Sequence, residues 1–434
     1  MKNCSHLHKY LYSLPQGKNN MRFQELFELQ KLNGLTIIPL EQFVEKGYPK
    51  DNIDAETDDN IVDEEELTEA EFANGAKFRV APEVELQDYL GRIRNKTKTK
   101  LDPYTMPYIH DKKIKVKNQD GQNYDLEALK KAIMKRPSSL LKKNEKMKHS
   151  NGTADQYYNV GLPALRGLAV NEETGEFVIV DTCPGAGACK TMCYAMKGSY
   201  IQYPDVFLKQ TQTLNFLLND PEGFSALLSK EIQDAIAKWD RFSAKSKKTA
   251  EPIDVRVVIR FHDSGDFFSP EYMKMAFAVA RQFPANLFYA YTKVAAVANS
   301  TEKPDNFVLN FSAGALSTQS KLVNITGPDA KKYSEIVPKE MFFDLIAREG
   351  SKVIKNAAGA TQFRGLPEWK EFKDRLVKKY NIEPDSILAY SEFINMKFAN
   401  ELGDKPYWNV VVCPGEGDTS AADPKVLGTY LLFH

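Results

Sequence analysis

A chain of 434 residues with 42% hydrophobic content has the material for a large core, and 58 basic residues balance 58 acidic ones, so net charge alone marks it neither for a polyanion nor for a membrane surface. No apolar run is long enough to cross a bilayer and the N-terminus lacks a signal peptide's hydrophobic stretch, which makes a cytoplasmic location the expectation. Five cysteines in a reducing compartment argue against a disulfide framework and for metal or redox chemistry.

Along the chain, residues 1–50 mix helical spacing with a short apolar run, Leu35 to Leu40, and read as a small α/β segment. Residues 51–75 hold eleven acidic side chains and no basic one. Like charges at that density repel and little there is apolar, so a solvated, disordered link is expected. The charge then inverts. Residues 76–150 form a lysine-rich region, with 17 Lys and Arg against 6 Asp and Glu between Gly91 and His149. It is either a solvated surface or a phosphate-binding one. On the second reading it grips DNA or RNA, with Tyr104, Tyr108 and Tyr124 among the lysines as stacking partners for bases.

Residues 151–434 alternate strand and helix. Phe177–Thr182, Val255–Phe261, Asn286–Tyr291, Asn306–Phe311, Ser386–Tyr390 and Trp408–Val412 are apolar runs of strand length. Between the second and third, Ser269 is a suitable N-cap, Pro270 suits the first helical position, and Tyr272, Met275, Ala276, Val279 and Phe283 recur at helical spacing to Gln282. The fold class expected is α/β, a mostly parallel sheet or partial barrel of strand–helix units, preceded by an N-terminal extension.

The motifs follow the strands, where parallel sheets deliver their chemistry. The first strand runs into Cys183-Pro-Gly-Ala-Gly-Ala-Cys189-Lys-Thr-Met-Cys193, the second into His262-Asp-Ser264-Gly265-Asp266, the third into Lys293, the fourth into Ser312, and the last into Cys413-Pro-Gly. Thiolates bind soft metals, and glycine-rich loops bring backbone N–H groups close to sulfur. Zinc knuckles usually place their cysteines closer together than five and three intervening residues. Cys183, Cys189 and Cys193 are therefore expected to hold a 4Fe–4S cluster, with zinc as the other metal this donor set admits. Three ligands leave one iron for Cys413 or for a small molecule. His262 is a candidate general acid or base, Asp266 a candidate acceptor for a ligand's ammonium group, and Lys293 a candidate anion contact. Ser264 and Asp266 are also ordinary capping types.

The segments TCPGAGACKTMCYA, LLNDPEGF, RFHDSGDFFSPEYM, FYAYTK and NFSAGA resemble the phage gene product 88 family over roughly Asn159 to His434. More distantly, the layout is similar to radical S-adenosylmethionine enzymes, where a three-cysteine loop follows the first strand and a Gly-Gly-Glu motif follows the second. That similarity implies S-adenosylmethionine as a cofactor held by Ser264, Gly265 and Asp266, with Ser312 at its ribose and Tyr194 beside the cluster. The cysteine spacing departs from those enzymes, and Asp266 is a shorter acid than their glutamate. The expectation is an iron–sulfur protein of phage type in an infected bacterial cell, a radical enzyme acting on a nucleic acid or nucleotide. The alternative is a nucleic-acid-binding protein with a structural cluster or zinc site closed by Cys413.

Overall fold

A strand whose side chains are all buried needs cover on both faces of its sheet, and among the described residues Val257–Phe261 and Phe307–Ser312 have that pattern throughout. The computed structural model describes residues 70–72, 74–81, 126–143, 155–190, 193, 195, 200, 204–246, 255–326, 329–337, 373–374, 376–378, 381–389, 393, 396–397, 399–401, 403, 407–410 and 418–432. In chain order the elements are β1 (Ala70–Glu71), β2 (Lys77–Val80), α1 (Leu126–Met134), β3 (Gln156–Val160), β4 (Arg166–Val170) and β5 (Phe177–Asp181). Then come α2 (Pro204–Asn219), α3 (Pro221–Ser246), β6 (Val257–Phe261), α4 (Pro270–Arg281), β7 (Leu287–Thr292), β8 (Phe307–Ser312) and β9 (Tyr333–Val337). β10 (Ile387–Ala389), β11 (Tyr407–Val410) and β12 (Val426–Leu432) close the chain.

Eight strands form one open row in the order β10-β11-β12-β9-β8-β7-β6-β3, and every neighbouring pair in it is parallel. On one face Ile259, Phe261, Phe288, Ala290, Phe307 and Leu309 share a core with Phe224, Leu228 and Ile232 of α3 and Phe277 and Val279 of α4. On the other face Val258, Leu287, Tyr289 and Val308 pack with Ala421 and Ala422. Helix α4 begins as its sequence predicts: Ser269 accepts a hydrogen bond from the Tyr272 N–H and Pro270 occupies the first turn.

The α/β character and the parallel sheet are present, and each of the six expected strands forms. One of them lies in the wrong sheet. Phe177–Asp181 belongs not to the parallel row but to a second, antiparallel sheet of order β1-β2-β5-β4. The cause is local. β4 and β5 are joined by a tight turn in which Asn171 Oδ1 accepts from the Glu173 N–H, the Asn171 carbonyl accepts from the Gly175 N–H, and Gly175 takes φ +72°. A hairpin that short makes its strands antiparallel neighbours whatever lies elsewhere. β3, β4, β9 and β12 were not among the expected strands.

Segments before residue 151 join the same folded unit. β1, within the supposed acidic link, pairs with β2, and β2 pairs with β5. Helix α1, within the lysine-rich region, buries Leu129 and Ile133 against Leu168, Val170 and Ile179. The folded unit thus recruits strand and helix from before residue 151. Residues 1–50, the acidic stretch up to residue 69 and most of 91–149, including Tyr104, Tyr108 and Tyr124, lie outside the described residues. Among the described residues no helix is long and apolar enough to cross a membrane.

Candidate metal centre

Although β5 is in the antiparallel sheet, its end is tied to the rim of the parallel one. The Thr182 carbonyl accepts from the Asp266 N–H at 2.7 Å, and the Thr182 hydroxyl donates to the Pro163 carbonyl at 2.7 Å. The cysteine loop that follows lies across the C-terminal ends of β7 and β8. The Gly187 and Cys189 N–H groups both donate to the Gly314 carbonyl, at 2.9 and 3.1 Å, and Leu316 N–H donates to the Gly185 carbonyl at 2.9 Å. An isolated bridge pairs Ala186 with Ala315. Gly185 is a glycine of necessity: a Cβ there would run into the Lys293 carbonyl. The glycines of this loop serve docking, and the docking carries the thiols to the rim.

The thiols meet a charged neighbourhood. Cys183 Sγ accepts from the Leu165 N–H at 3.3 Å. Burial, followed by the nearby carboxylates of Asp266 and Asp181, pushes the Cys183 thiol well above its ordinary range, with Cys193 contributing to the same field. Lys293 stands against this. Burial alone would lower its ammonium, but the charges of Cys189, Asp266 and Cys183 around it and a hydrogen bond with Cys189 raise it instead. Its Nζ also reaches the Ser312 hydroxyl at 3.4 Å. A fixed ammonium amid thiols lowers the cost of making them thiolates, the form that binds metal. The structure therefore gathers Cys183, Cys189, Cys193, Asp266, Lys293 and Ser312 at one rim. Among the described residues, no three His, Cys, Asp or Glu side chains converge closely enough to hold a single metal ion. The donor set fits a thiolate-held centre in type, in its N–H···S contact and in its neighbouring cation.

The HDSGD turn is built differently from its expected roles. His262 is 3% exposed, sits at φ +64°, and pairs its Nε2 with the Tyr272 hydroxyl at 2.8 Å. Its ring packs edge-on to Phe267, with centroids 4.5 Å apart. Burial, with a smaller effect from Arg260, lowers its pKa to about 3, so it is a neutral, packed imidazole. The Ser264 hydroxyl donates to the Leu162 carbonyl at 2.6 Å and accepts from Gln210 Nε2 at 2.7 Å. Gly265 has φ +80°, and a Cβ on it would lie 2.8 Å from that of Leu162. Asp266 Oδ1 accepts from the Phe267 N–H and Oδ2 from the Lys293 N–H, both at 2.7 Å. Thr292 adds a side-chain hydrogen bond, yet burial dominates and holds the carboxyl above its usual range.

Asp266 is thus a clamp between the ends of β6 and β7. Asp266→Ala strands two buried N–H donors at about 1–3 kcal/mol each, so chemical denaturation should show a loss of about 2–5 kcal/mol. A change below about 0.5 kcal/mol, the range of ordinary surface substitutions, would show that the clamp does not hold the rim.

Four further polar residues of the sheet, Asn159, Arg260, Ser334 and Thr429, escaped sequence reasoning, whereas Ser312, in register with Ser334, did not. Asn159 and Arg260 are in register on β3 and β6, Ser312 and Ser334 on β8 and β9, and Ser334 and Thr429 on β9 and β12. All five are buried. The Arg260 guanidinium lies 5.0 Å over the Tyr291 ring, and Asn310 Nδ2 donates to the Ala421 carbonyl at 3.1 Å. Neither polar atom of the Asn159 amide, nor the Ser334 and Thr429 hydroxyls, has a hydrogen-bond partner among the described residues. A signal did exist: Asn159, Arg260 and Asn310 each interrupt an apolar strand run near its end. Cys413, Tyr194 and Cys4 lie outside the described residues.

A family model described as Gene product 88 matches residues 138–364, beginning and ending earlier than the stretch whose motifs suggested the resemblance. Among curated proteins, the "Gene 88 protein" of Mycobacterium phage L5 is 30% identical over 171 residues, covering 38% of this chain and 61% of the relative. The "Gene 88 protein" of Mycobacterium phage D29 is 29% identical over 169 residues, covering 38% and 60%. The chain thus spans less than two thirds of either relative's length. No solved structure matches the chain.

Proposed function

Because the chain belongs to the gene product 88 family, for which the rim residues are the available guide to chemistry, we propose that it is an iron–sulfur protein whose cluster is held by Cys183, Cys189 and Cys193. The observation that carries this reading is the docking of a three-thiol, glycine-rich loop onto the rim beside the Lys293 ammonium. Thiolate type, N–H contact to sulfur and a neighbouring cation together suit a polynuclear sulfide cluster, and zinc is the competing occupant. When bound, such a cluster supplies one-electron chemistry. Leu165 would then hold the Cys183 sulfur through its N–H, Lys293 would balance thiolate charge, and Asp266 would keep Lys293 in place through its backbone.

The finer proposal is radical chemistry with S-adenosylmethionine on a nucleic acid or nucleotide. What supports it is the nearness of the cluster loop, Lys293 and Ser312 at the end of a sheet whose strands carry Asn159, Arg260 and Ser334. Each Asp266 oxygen already accepts one backbone N–H, which leaves less of the carboxylate for the cofactor's amino group. That engagement favours the second reading, a structural cluster closed by Cys413 in a nucleic-acid-binding protein. One preparation separates the readings. Protein purified without oxygen should contain iron and sulfide in near-equal amounts, with a broad visible absorbance. Zinc in their place would overturn the cluster. Given dithionite and S-adenosylmethionine, release of 5′-deoxyadenosine selects the enzyme, and its absence together with an unchanged spectrum selects the structural site.

A further inference from the structure

A separate surface lies toward the N-terminal end of β3, at the edge of the parallel sheet, whereas the cysteines occupy the C-terminal rim. It is built by a clamp on α3. The Glu231 carboxylate accepts from the Leu140 and Leu141 N–H groups and from the Ser139 hydroxyl, at 2.8 to 3.2 Å. The chain then forms a bridge in which Lys142 and Asn159 exchange backbone hydrogen bonds at 2.8 and 2.9 Å. With Leu141 and Lys142 fixed before it, Lys143 is held over an aromatic shelf. Its Nζ is 4.6 Å from the Tyr158 ring centroid and 5.0 Å from that of Trp239, and it donates to Gln156 Oε1 at 2.9 Å.

The shelf is rigid and extends outward. Trp239 Nε1 donates to the Tyr158 hydroxyl at 2.9 Å, which fixes the indole plane. Phe242 packs edge-on to it at 5.4 Å and is 49% exposed, a large aromatic face left to solvent. Lys238 also approaches the indole, with Nζ at 5.2 Å from the ring centroid. Arg241 and Lys245 follow on the same helix against one acid, Asp240. Partial burial lowers the Lys143 ammonium, and the nearby charge of Lys238 lowers it further. In sequence, Lys247 and Lys248 follow the helix, and Lys146 and Lys148 follow Lys143.

From this arrangement we infer that the Lys143–Trp239–Phe242 surface binds single-stranded nucleic acid, with bases stacking on the exposed aromatic faces and phosphates lying against Lys143, Lys238, Arg241 and Lys245. Each base of a single strand offers a π-face to such a shelf, and the lysines match the backbone's charge. A duplex keeps its bases stacked internally, which leaves Phe242 uncovered. The inference rests on the nucleic-acid part of the proposal above and is independent of the cluster.

The test uses the full chain and a fluorescein-labelled oligothymidylate of 20 nucleotides, followed by anisotropy and by tryptophan fluorescence. Binding should quench Trp239 emission, the quench should vanish in Trp239→Phe, and affinity should fall as salt rises from 50 to 200 mM. Phe242→Ala and Lys143→Ala alter exposed groups, so circular dichroism should match the parent while affinity drops at least about fivefold, the low end of a lost stacking contact. If the parent binds and both variants bind equally well, the surface is wrong although the nucleic-acid reading survives. If the parent does not bind at 50 mM salt, both fall while the iron measurement stands untouched. A duplex bound as tightly as the single strand, without quench, would also overturn the inference.

Discussion

Cys183→Ala, Cys189→Ala and Cys193→Ala should each strip the anaerobically purified protein of most of its iron and of its visible absorbance. The three thiols share one loop whose backbone is pinned to Gly314, Ala315 and Leu316, so the loop cannot readily offer a substitute donor for one that is lost. Metal-binding free energy of this kind is also folding free energy, so a fall in the unfolding midpoint should accompany the loss. Cys4→Ala should retain full iron, since Cys4 lies far in sequence from the loop that holds the three thiols. Cys413→Ala decides between the readings of the site. A loss as complete as that of Cys189→Ala means four protein thiolates close the cluster, whereas retained iron means an open position for a small molecule. Retention of iron in all three loop variants would end the proposal.

The second large effect is acid destabilisation routed through His262. Its folded pKa, about 3, lies below that of a free imidazole, about 6.5. As pH falls below the free value, the unfolded chain takes up a proton that the folded protein refuses, so stability is full above pH 6.5 and is lost progressively toward pH 3. At about 1.4 kcal/mol per pH unit, the window from 6.5 to about 3 is worth on the order of 5 kcal/mol. His262→Gln keeps a polar group for Tyr272 but removes the titration. Denaturation of the metal-free protein between pH 7 and pH 4 should therefore show a shallower pH slope in the variant than in the parent. Equal slopes would mean that the imidazole is not buried neutral. The measurement bears on function as well, because a histidine that refuses a proton to about pH 3 and is packed between Phe267 and Tyr272 is ill placed as a general acid.

The amino-acid sequence determined the parts whose physics is local. The period-two and continuous apolar runs of β6, β7 and β8 had to bury on a covered sheet, and Ser269-Pro270 had to start a helix. Three thiols in a Gly-rich loop pointed to metal irrespective of fold. Tertiary structure decided what depends on partners distant in sequence. The hairpin placed β5 in the antiparallel sheet, so the cysteine loop reaches the rim through Thr182 and Asp266 and not as a direct continuation of a parallel strand. His262, Ser264 and Asp266 look catalytic as a sequence motif, but Tyr272 takes the His262 Nε2, Leu162 and Gln210 the Ser264 hydroxyl, and Phe267 and Lys293 the Asp266 oxygens. Lys293 looks like any lysine until Cys183, Cys189 and Asp266 surround it. The Lys143–Trp239 shelf joins residues nearly a hundred positions apart through the Glu231 clamp. A side chain's chemistry is set by its charge and by which groups occupy its hydrogen bonds; the first is written in its identity, and the second appears only when the chain has folded.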